Sequence, residues 1–337
     1  MTSDNDNDLD SRMRGNDKPL QQSSTPTRGT SAKQKINGIF LLDKPEGYTS
    51  NKALQQVKSL FKAAKAGHTG NLDPLASGVL PICFGEATKF AGFLLEADKS
   101  YLVTAKLGEN TDTGDADGKI IATKAVPVLT TEQLQPILLR FCGAISQLPP
   151  MYSALKYQGQ PLYKLARKGV QVERKPRTIT IYKIELLSLQ DEYFTLQVHC
   201  SKGTYMRTLV EDIGAILDCG AHVTKLRRLL VGNYKIEDAI TLPRLEEILA
   251  SNNELAIKNL LLPTDSSVMD WPEIFLSSFA IDYLLKGQQI AANNAPAYGL
   301  VRLKAESNGQ FIGIGEAVGR GMIAPKRLID TRGMGVD

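Results

Sequence analysis

A glycine-rich segment around Asp73 carries the residue types best suited to chemistry. Asp73 is followed directly by Pro74 and flanked by three glycines, Gly67, Gly70 and Gly78. Glycine admits backbone conformations closed to other residues, and a proline biases the residue before it towards an extended conformation. The segment can therefore hold the Asp73 carboxylate in a fixed position, as a nucleophile or a base requires. The alternative is a turn or capping aspartate, which is common in glycine-rich loops.

Several other kinds of chemistry find no support in the sequence. The pattern G-x-x-x-x-G-K-[ST] is absent, and the pair Gly313 and Gly315 lacks the third glycine of a dinucleotide fingerprint. The acidic run 112–118 lacks acids at the first and last ligand positions of a calcium loop, so a polar hairpin turn is the better interpretation. The histidines are too widely spaced for H-x-x-x-H, and no G-x-S-x-G elbow is present. Nucleotide-driven, hydrolytic and metal-dependent chemistry are therefore disfavoured.

The motifs around Asp73 and downstream of it resemble those of the bacterial TruB-type tRNA pseudouridine synthases. Residues 67–78 match that family's signature of G-H-T-G, two residues, D-P-L-A, a small residue and G. Further segments match family motifs in the same order along the chain: 44–47, 99–101 with 112–118, 200–209 and 224–232. These matches extend over residues 36–235, and residues 313–328 resemble the family's C-terminal PUA-like domain.

The resemblance implies that the chain isomerises uridine 55, in the T-loop of transfer RNA, to pseudouridine. This reaction breaks the bond between ribose C1′ and uracil N1, turns the base and joins uracil C5 to C1′. No redox change occurs and no atom is added, so no metal and no nucleotide cofactor are expected. The family's motif aspartate, here Asp73, supplies the ionised carboxylate, and the target base must be flipped out of its loop.

The resemblance also implies roles for side chains near Asp73. A carboxylate shielded from water tends to take up a proton, and Arg207 matches the family arginine that pairs with the aspartate. Tyr101 and Tyr205 match residues that stack on or flank the target base, and Tyr101 is a candidate relay for the C5 proton. Without the resemblance, core packing would explain both tyrosines and a structural role would explain Arg207.

Three further positions match residues near the uracil pocket. His68 matches a family histidine close to the flipped nucleotides, where an imidazole can stack or donate a hydrogen bond. Leu226 matches an apolar residue lining the pocket, and Lys44 is expected to shape the active-site floor without acting in catalysis. The alternatives are a local loop hydrogen bond for His68 and ordinary core packing for Leu226.

Residues 147–177 are dense in tyrosine, lysine, arginine, glycine and proline, which is typical of a mobile insertion. Basic side chains interleaved with tyrosines are suited to contacts with RNA phosphates and bases. We single out Lys156, Arg167 and Arg174 as candidates. The alternative for such a charge run is a solvated loop.

Hydrophobic patterning indicates the elements that must position these residues. Residues 36–42 predict a strand, and Thr49 or Ser50 begins a helix that ends near Gly67. Helices are also expected over 87–95, 131–141 and 204–217, and strands over 101–107, 118–123, 177–189, 193–200 and 226–236. Residues 101–107 alternate in character, with Tyr101, Val103, Ala105 and Leu107 on one face, and this strand should form a hairpin with 118–123. The expected fold class is α+β: a mixed, mainly antiparallel sheet flanked by helices, the pseudouridine synthase fold that the resemblance implies, with a small C-terminal β-barrel.

Composition and charge fit an RNA-binding protein of the cytoplasm. No apolar run approaches the roughly 18 residues of a membrane span, and the N-terminus lacks a signal-peptide pattern. Net charge is +4, although the first ten residues carry four aspartates and no basic residue, so the remainder is more basic than the total. The four cysteines are widely spaced and are expected to be reduced core residues.

The sequence predicts three regions and leaves two other functions open. Residues 1–35 should be a disordered tail, residues 36–268 a catalytic domain, and residues 269–337 a PUA-like RNA-binding domain in which Lys326 and Arg327 contact phosphates. The expected partner is the T-arm of transfer RNA, bound by a monomer.

One alternative function is that of an RNA-binding or RNA-folding factor that needs no catalysis. A methyltransferase is disfavoured because the glycine-rich cofactor loop is missing.

Overall fold

The computed structural model describes residues 33–330. Most of the predicted N-terminal tail, residues 1–32, lies outside the described residues, as do residues 331–337 of the predicted PUA-like domain. Within residues 33–330, no helix has the length and the apolar character needed to span a membrane.

Strands dominate the fold and form two main sheets. In chain order they are β1 (Gly38–Lys44), β2 (Ala66–His68), β3 (Ala76–Phe84), β4 (Lys99–Leu107), β5 (Glu109–Thr111), β6 (Ile120–Thr123), β7 (Gly143–Gln147), β8 (Lys156–Tyr157), β9 (Gln160–Pro161), β10 (Arg177–Gln190), β11 (Tyr193–Cys200), β12 (Ala221–Val231), β13 (Tyr234–Lys235), β14 (Ile240–Thr241), β15 (Glu273–Leu276), β16 (Ile290–Ala291), β17 (Tyr298–Ala305), β18 (Phe311–Val318) and β19 (Met322–Leu328). The larger sheet has the order β14-β1-β3-β12-β4-β11-β10-β7, with β2 added to β3 and β13 to β12. Its pairs are antiparallel except β1 with β14 and β3 with β12.

Several helices pack against the larger sheet, and the last one belongs to the smaller sheet. They are α1 (Ser50–Leu60), α2 (Ala91–Glu96), α3 (Thr131–Leu139), α4 (Leu162–Ala166), α5 (Met206–Ile216), α6 (Leu242–Ala250), α7 (Glu254–Lys258) and α8 (Ser278–Leu285). The predicted start of α1 is confirmed, because the Thr49 side chain accepts a hydrogen bond from the Lys52 amide and caps the helix. The apolar sides of α1, α3 and α5 share one core with the inward faces of β4, β10 and β11.

The expected α+β class is confirmed, while some element boundaries and one strand pairing are wrong. The first helix ends at Leu60 and not near Gly67, because Lys62 has a φ of +49°. The helix expected over 87–95 is a short 3-10 turn, Gly85–Lys89, followed by α2. Cys142 is exposed, in contrast to the other three cysteines.

The hairpin expected between residues 101–107 and 118–123 does not form. Strand β4 pairs with β11 and β12 inside the larger sheet, whereas β6 pairs with β5 in a separate two-stranded sheet. Gly108, with a φ of +88°, ends β4 before β5 begins. Strand β4 therefore pairs with strands that are distant in sequence. Alternation identified the buried face of β4 but not its neighbours.

The C-terminal strands form the smaller sheet, with the order β15-β17-β18-β19-β16. It has its own apolar core, built from residues of β15 to β19 and from α8. Residues 263–272 contain a 3-10 turn, Ser266–Val268, and the Ser266 hydroxyl is hydrogen-bonded to the Tyr234 hydroxyl at 2.8 Å.

Candidate active site

Asp73 lies in the loop that joins β2 to β3, and hydrogen bonds fasten this loop on both sides. The buried Ser50 hydroxyl donates to the Leu72 carbonyl at 3.1 Å and accepts from the Leu72 amide at 2.7 Å. The Gly47 amide donates to the Pro74 carbonyl at 2.8 Å. Asp73 is therefore held between two anchored neighbours, as the sequence predicted for this segment.

Arg207, the second residue of α5, forms an ion pair with Asp73. Its Nη2 lies 2.9 Å from Asp73 Oδ2 and also donates to the Tyr152 carbonyl at 2.7 Å. Its Nη1 donates to the Thr113 carbonyl at 2.8 Å, and its Nε lies 3.6 Å from Asp115 Oδ2. The Arg207 side chain is 5 % exposed and that of Asp73 is 39 % exposed, so the carboxylate is the accessible member of the pair.

Asp115 is a site residue that sequence reasoning did not single out. The polar turn it belongs to joins β5 to β6, and Asp115 itself is buried. The turn docks on β12 through the Ala116 amide, which donates to the Val223 carbonyl, and the Thr113 hydroxyl donates to Asp115 Oδ1 at 2.5 Å. Nothing in the local sequence marks which acid of this turn faces inward.

The environment of Asp73 acts on its pKa in opposite directions. Burial raises the pKa of the Asp73 carboxyl above its ordinary value, and the nearby Asp115 carboxylate raises it further. The Arg207 guanidinium opposes this rise by charge and by hydrogen bonding, and Lys44 opposes it by charge. The net pKa is raised, and the two cations limit that rise.

Tyr101 lies on β4 directly across from Arg228 on β12. Burial raises the pKa of the Tyr101 hydroxyl, and the Arg228 guanidinium beside it opposes that rise. Arg228 is 1 % exposed, and its Nε donates to the Val79 carbonyl at 2.8 Å. The sequence placed Arg228 within a matched motif but gave it no role, because a buried arginine and a surface arginine look alike in sequence.

Tyr205 precedes α5 and is half-buried. Burial raises the pKa of its hydroxyl, whereas the Ser153 hydroxyl beside it and the charges of Arg177 and Arg207 lower it. The charge of Asp73 raises the pKa of both Tyr205 and Tyr101. The structure therefore brings both tyrosines into electrostatic range of the carboxylate.

His68 and Leu226 lie on the strands beside this centre. His68 ends β2 and is half-buried, and burial lowers the pKa of its imidazole, with the Arg228 charge adding to that effect. Leu226 is buried on β12, between Ala76 of β3 and Val103 of β4 in the sheet register. Its packing in the core also agrees with the structural alternative.

Lys44 is fully buried at the end of β1. Its Nζ donates to the carbonyls of Pro45 and Tyr48 at 2.8 and 2.7 Å. Burial lowers the pKa of Lys44 to about 8, against the raising effect of the Asp73 charge. These hydrogen bonds fix the turn that follows β1. They agree with the expectation that Lys44 has a structural role and does not act in catalysis.

The basic side chains predicted to contact RNA differ in exposure and in their contacts within the protein. Lys156 and Arg167 are exposed, and the Arg167 guanidinium lies 5.6 Å from the centre of the Tyr163 ring. Arg174 is half-buried and its Nη1 donates to the Pro149 carbonyl at 2.9 Å. Two C-terminal candidates bond within the protein, Lys326 to Glu316 at 2.7 Å and Arg327 to the Lys89 carbonyl at 2.8 Å.

No group of three or more His, Cys, Asp or Glu side chains within residues 33–330 is arranged to bind a metal ion. The acidic turn 112–118, considered above as a calcium loop, accordingly does not gather such a group in the structure. Asp112 Oδ1 accepts a hydrogen bond from the Lys119 amide at 2.8 Å, as in an ordinary polar turn.

Comparison with solved structures identifies similar folds. A crystal structure of a Cbf5-Nop10-Gar1 complex contains a chain that aligns with a TM-score of 0.68 and 25% identity over 86% of this chain and 84% of that chain. The archaeal box H/ACA sRNP Nop10-Cbf5 complex gives a TM-score of 0.66 and 23% identity over 87% of this chain and 86% of that chain. The second likeness is one of fold alone.

Three family models match successive parts of the sequence. They are described as TruB family pseudouridylate synthase (N terminal domain), at residues 58–206, tRNA pseudouridylate synthase B C-terminal domain, at 207–269, and Pseudouridine synthase II TruB, C-terminal, at 272–329. All three descriptions are of pseudouridine-forming enzymes. The fold and the paired aspartate and arginine therefore occur in a chain of that class.

Curated relatives make the assignment specific. The tRNA pseudouridine synthase B of Ectopseudomonas mendocina (strain ymp) is 53% identical over 299 residues, 89% of this chain and 97% of the relative. That of Coxiella burnetii (strain RSA 493 / Nine Mile phase I) is 53% identical over 300 residues, again 89% and 97%. The chain belongs to the TruB family of pseudouridylate synthases, which confirms the resemblance found in the sequence.

Proposed function

We propose that this chain converts uridine 55 in the T-loop of transfer RNA to pseudouridine, without a cofactor, by attack of the ionised Asp73 carboxylate. The observation that carries the proposal is the 2.9 Å pair between Arg207 Nη2 and the accessible Asp73 carboxylate. Transfer RNA as the substrate is supported by the names of the relatives, tRNA pseudouridine synthase B.

The reaction requires a flipped uridine beside Asp73 and a small number of neighbouring side chains. Arg207 keeps the carboxylate ionised while the glycosidic bond from C1′ to N1 breaks, and Tyr205 flanks the freed uracil as it turns. When C5 joins C1′, the proton on C5 must leave, and the Tyr101 hydroxyl beside Arg228 is the proposed relay. Asp73 is released as a carboxylate when C5 bonds to C1′, the C5 proton passes to water, and N1 takes up one proton, so atoms and charge balance without a further reactant.

The remaining predicted features belong to RNA binding. Residues 147–177 would grip the T-arm, with Lys156 and Arg167 contacting phosphates from their exposed positions. Residues 269–337 would add a second RNA contact away from the reacting base. The proposed enzyme acts as a monomer in the cytoplasm, where its substrate is made.

Release of tritium from uracil C5 tests the catalytic proposal. Wild-type protein incubated with unmodified transfer RNA labelled at C5 should release tritium to water, and Asp73→Asn should bind the RNA and release none. The matched control is Asp191→Asn, which removes a carboxylate from an exposed turn between β10 and β11, where a φ of +52° also suits asparagine. This control should retain wild-type activity.

Substituting cytidine for uridine 55 in the labelled RNA tests the position. Release should vanish with this RNA if uridine 55 is the target. Continued release from the cytidine-substituted RNA would place the target at another uridine. Binding of the unsubstituted, uridine-55 RNA by wild-type protein with no release of label would instead favour the RNA-binding or RNA-folding function.

A further inference from the structure

The side chain of Gln147 makes two hydrogen bonds to the backbone of Tyr205. Its Nε2 donates to the Tyr205 carbonyl at 3.0 Å, and the Tyr205 amide donates to its Oε1 at 2.8 Å. A primary amide offers both a donor and an acceptor, and here both are used on a single residue, which fixes distance and orientation together. Gln147 is 2 % exposed, so solvent is not available to replace these bonds.

Gln147 is itself held by regular structure. It is the last residue of β7, and it pairs with Arg177 at the start of β10 on the edge of the larger sheet. A side chain that projects from a strand is positioned more accurately than one on a loop. Gln147 and Arg177 are also the first and last residues of the segment 147–177. The hydrogen bonds to Tyr205 are therefore made at the point where this segment leaves the sheet.

The two hydrogen bonds fix the start of α5, the helix that carries the catalytic arginine. Tyr205 is the N-cap of α5, and its own side chain does not cap the helix. The Tyr205 carbonyl also accepts from the Leu209 amide at 3.1 Å, so Gln147 bonds directly to the first helical turn. Arg207 follows two residues later and reaches Asp73 from that turn.

We propose that Gln147 is a positioning residue for pseudouridine formation. Its paired hydrogen bonds set the N-terminus of α5 so that Arg207 meets Asp73 and Tyr205 flanks the target base. This role rests on the proposed function. A shift of about 1 Å in such a group can reduce a rate on the order of 100-fold, because the reacting atoms lose their alignment.

Gln147→Met tests the role, since methionine has nearly the same length and lacks both hydrogen-bonding groups. With enzyme in excess and RNA saturated, tritium release should slow by about 30- to 100-fold. The Kd for the RNA should stay within about threefold of wild type, because the phosphate-contacting side chains are untouched. Hydrogen exchange at the Tyr205 amide should accelerate. Gln190→Met, at an exposed glutamine that ends β10 and lies outside the segment assigned to RNA binding, is the matched control and should behave as wild type.

Gln147→Glu provides a second test, the pH dependence of the rate, and this test does not depend on whether Gln147→Met folds. The ionised carboxylate of this variant can accept from the Tyr205 amide but cannot donate to the Tyr205 carbonyl, whereas its protonated form can do both. The ratio of its rate to the wild-type rate should therefore rise as pH is lowered. Asp73, Asp115 and Arg207 are present in both proteins, so the ratio removes their own titration.

The possible outcomes separate the alternatives. A Gln147→Met rate within about threefold of wild type, whatever its melting temperature, would assign Gln147 a purely structural role and overturn the proposal. Weakened RNA binding with an unchanged saturated rate would overturn it too, by assigning Gln147 to the grip on RNA. Wild-type protein that releases no tritium is a different result, since it refutes the proposed function and this role with it.

Discussion

At the scale of single residues, the candidate active site places two carboxylates around one guanidinium. Arg207 lies between Asp73 and Asp115, with its nitrogens 2.9 and 3.6 Å from their oxygens. Burial and the Asp115 charge raise the pKa of Asp73, and Arg207 lowers it. Since the proposed attack needs the ionised form, activity should be lost as pH falls through this raised pKa.

Asp115→Asn should move the acid limb of the rate profile to lower pH. The substitution removes a negative charge that raises the pKa of Asp73, so Asp73 stays ionised further into the acid range. The plateau rate should fall by about tenfold, because Arg207 Nε loses the carboxylate that helps to orient it. Single-turnover rates between acid and neutral pH measure both effects.

Asp117→Asn is the matched control for this experiment, since it removes an exposed carboxylate from the same turn. Its acid limb should coincide with that of wild type. An acid limb that stays in place, or moves to higher pH, in Asp115→Asn would show that Asp115 does not act on Asp73 through its charge.

At the scale of elements, Gly78 determines how closely β3 and β12 pair. It has a φ of +105°, and a Cβ placed there would lie 2.2 Å from the Arg228 carbonyl oxygen and 2.7 Å from its amide nitrogen. These are backbone atoms of the adjacent strand, so no side chain can move aside to make room. The same pairing carries Leu226 and Arg228 to positions beside the Asp73 loop.

Gly78→Ala should destabilise the protein by about 3 kcal/mol or more, from steric overlap and backbone strain together. Gly287→Ala is the control, because Gly287 has a φ of +81° with no atom within 4 Å of the added Cβ. That change carries the strain alone and should cost about 1 kcal/mol. Urea unfolding of the three proteins measures both costs, and equal losses would show that the contact with Arg228 is unimportant.

Local sequence signals were enough to predict elements that depend on their own residues. The Thr49 cap and apolar spacing predicted α1, and alternation predicted the buried face of β4. The pairing of Asp73 with Arg207 was predicted only through the family resemblance, because the two residues lie far apart in the chain. The structure adds its geometry.

Features that depend on long-range packing could not be predicted. Alternation shows which face of a strand is buried, but it carries no information on which strand lies beside it, so the partners of β4 were missed. Asp115, Gln147 and Arg228 are buried polar residues, and each contacts a group distant in sequence. Their residue types alone suggest a surface position, which is why none was selected.

At the scale of the whole molecule, the two sheets are joined through the segment that includes α2. Phe90 packs against Phe311 of the smaller sheet with ring centroids 5.2 Å apart, and Phe93 packs against Trp271 at 4.8 Å. The Lys89 Nζ donates to the Leu328 carbonyl at 3.0 Å. Aromatic contacts of this kind bury apolar area on both sides, so the two sheets should unfold together.

Phe90→Ala should separate the unfolding of the two sheets. Trp271 is the single tryptophan of the chain and lies at their junction, so its fluorescence reports on the smaller sheet and the contact, while far-UV circular dichroism reports on the whole fold. In wild type the two signals should change at one denaturant concentration.

Removing the buried Phe90 ring should lower the free energy of unfolding by about 3 to 5 kcal/mol. The tryptophan transition should then occur at a lower denaturant concentration than the dichroism transition. Phe279→Ala removes a ring that is 69 % exposed on α8, the helix that packs on the smaller sheet, and should leave the transitions superimposed. Separate transitions already present in wild type would mean that this contact does not couple the sheets.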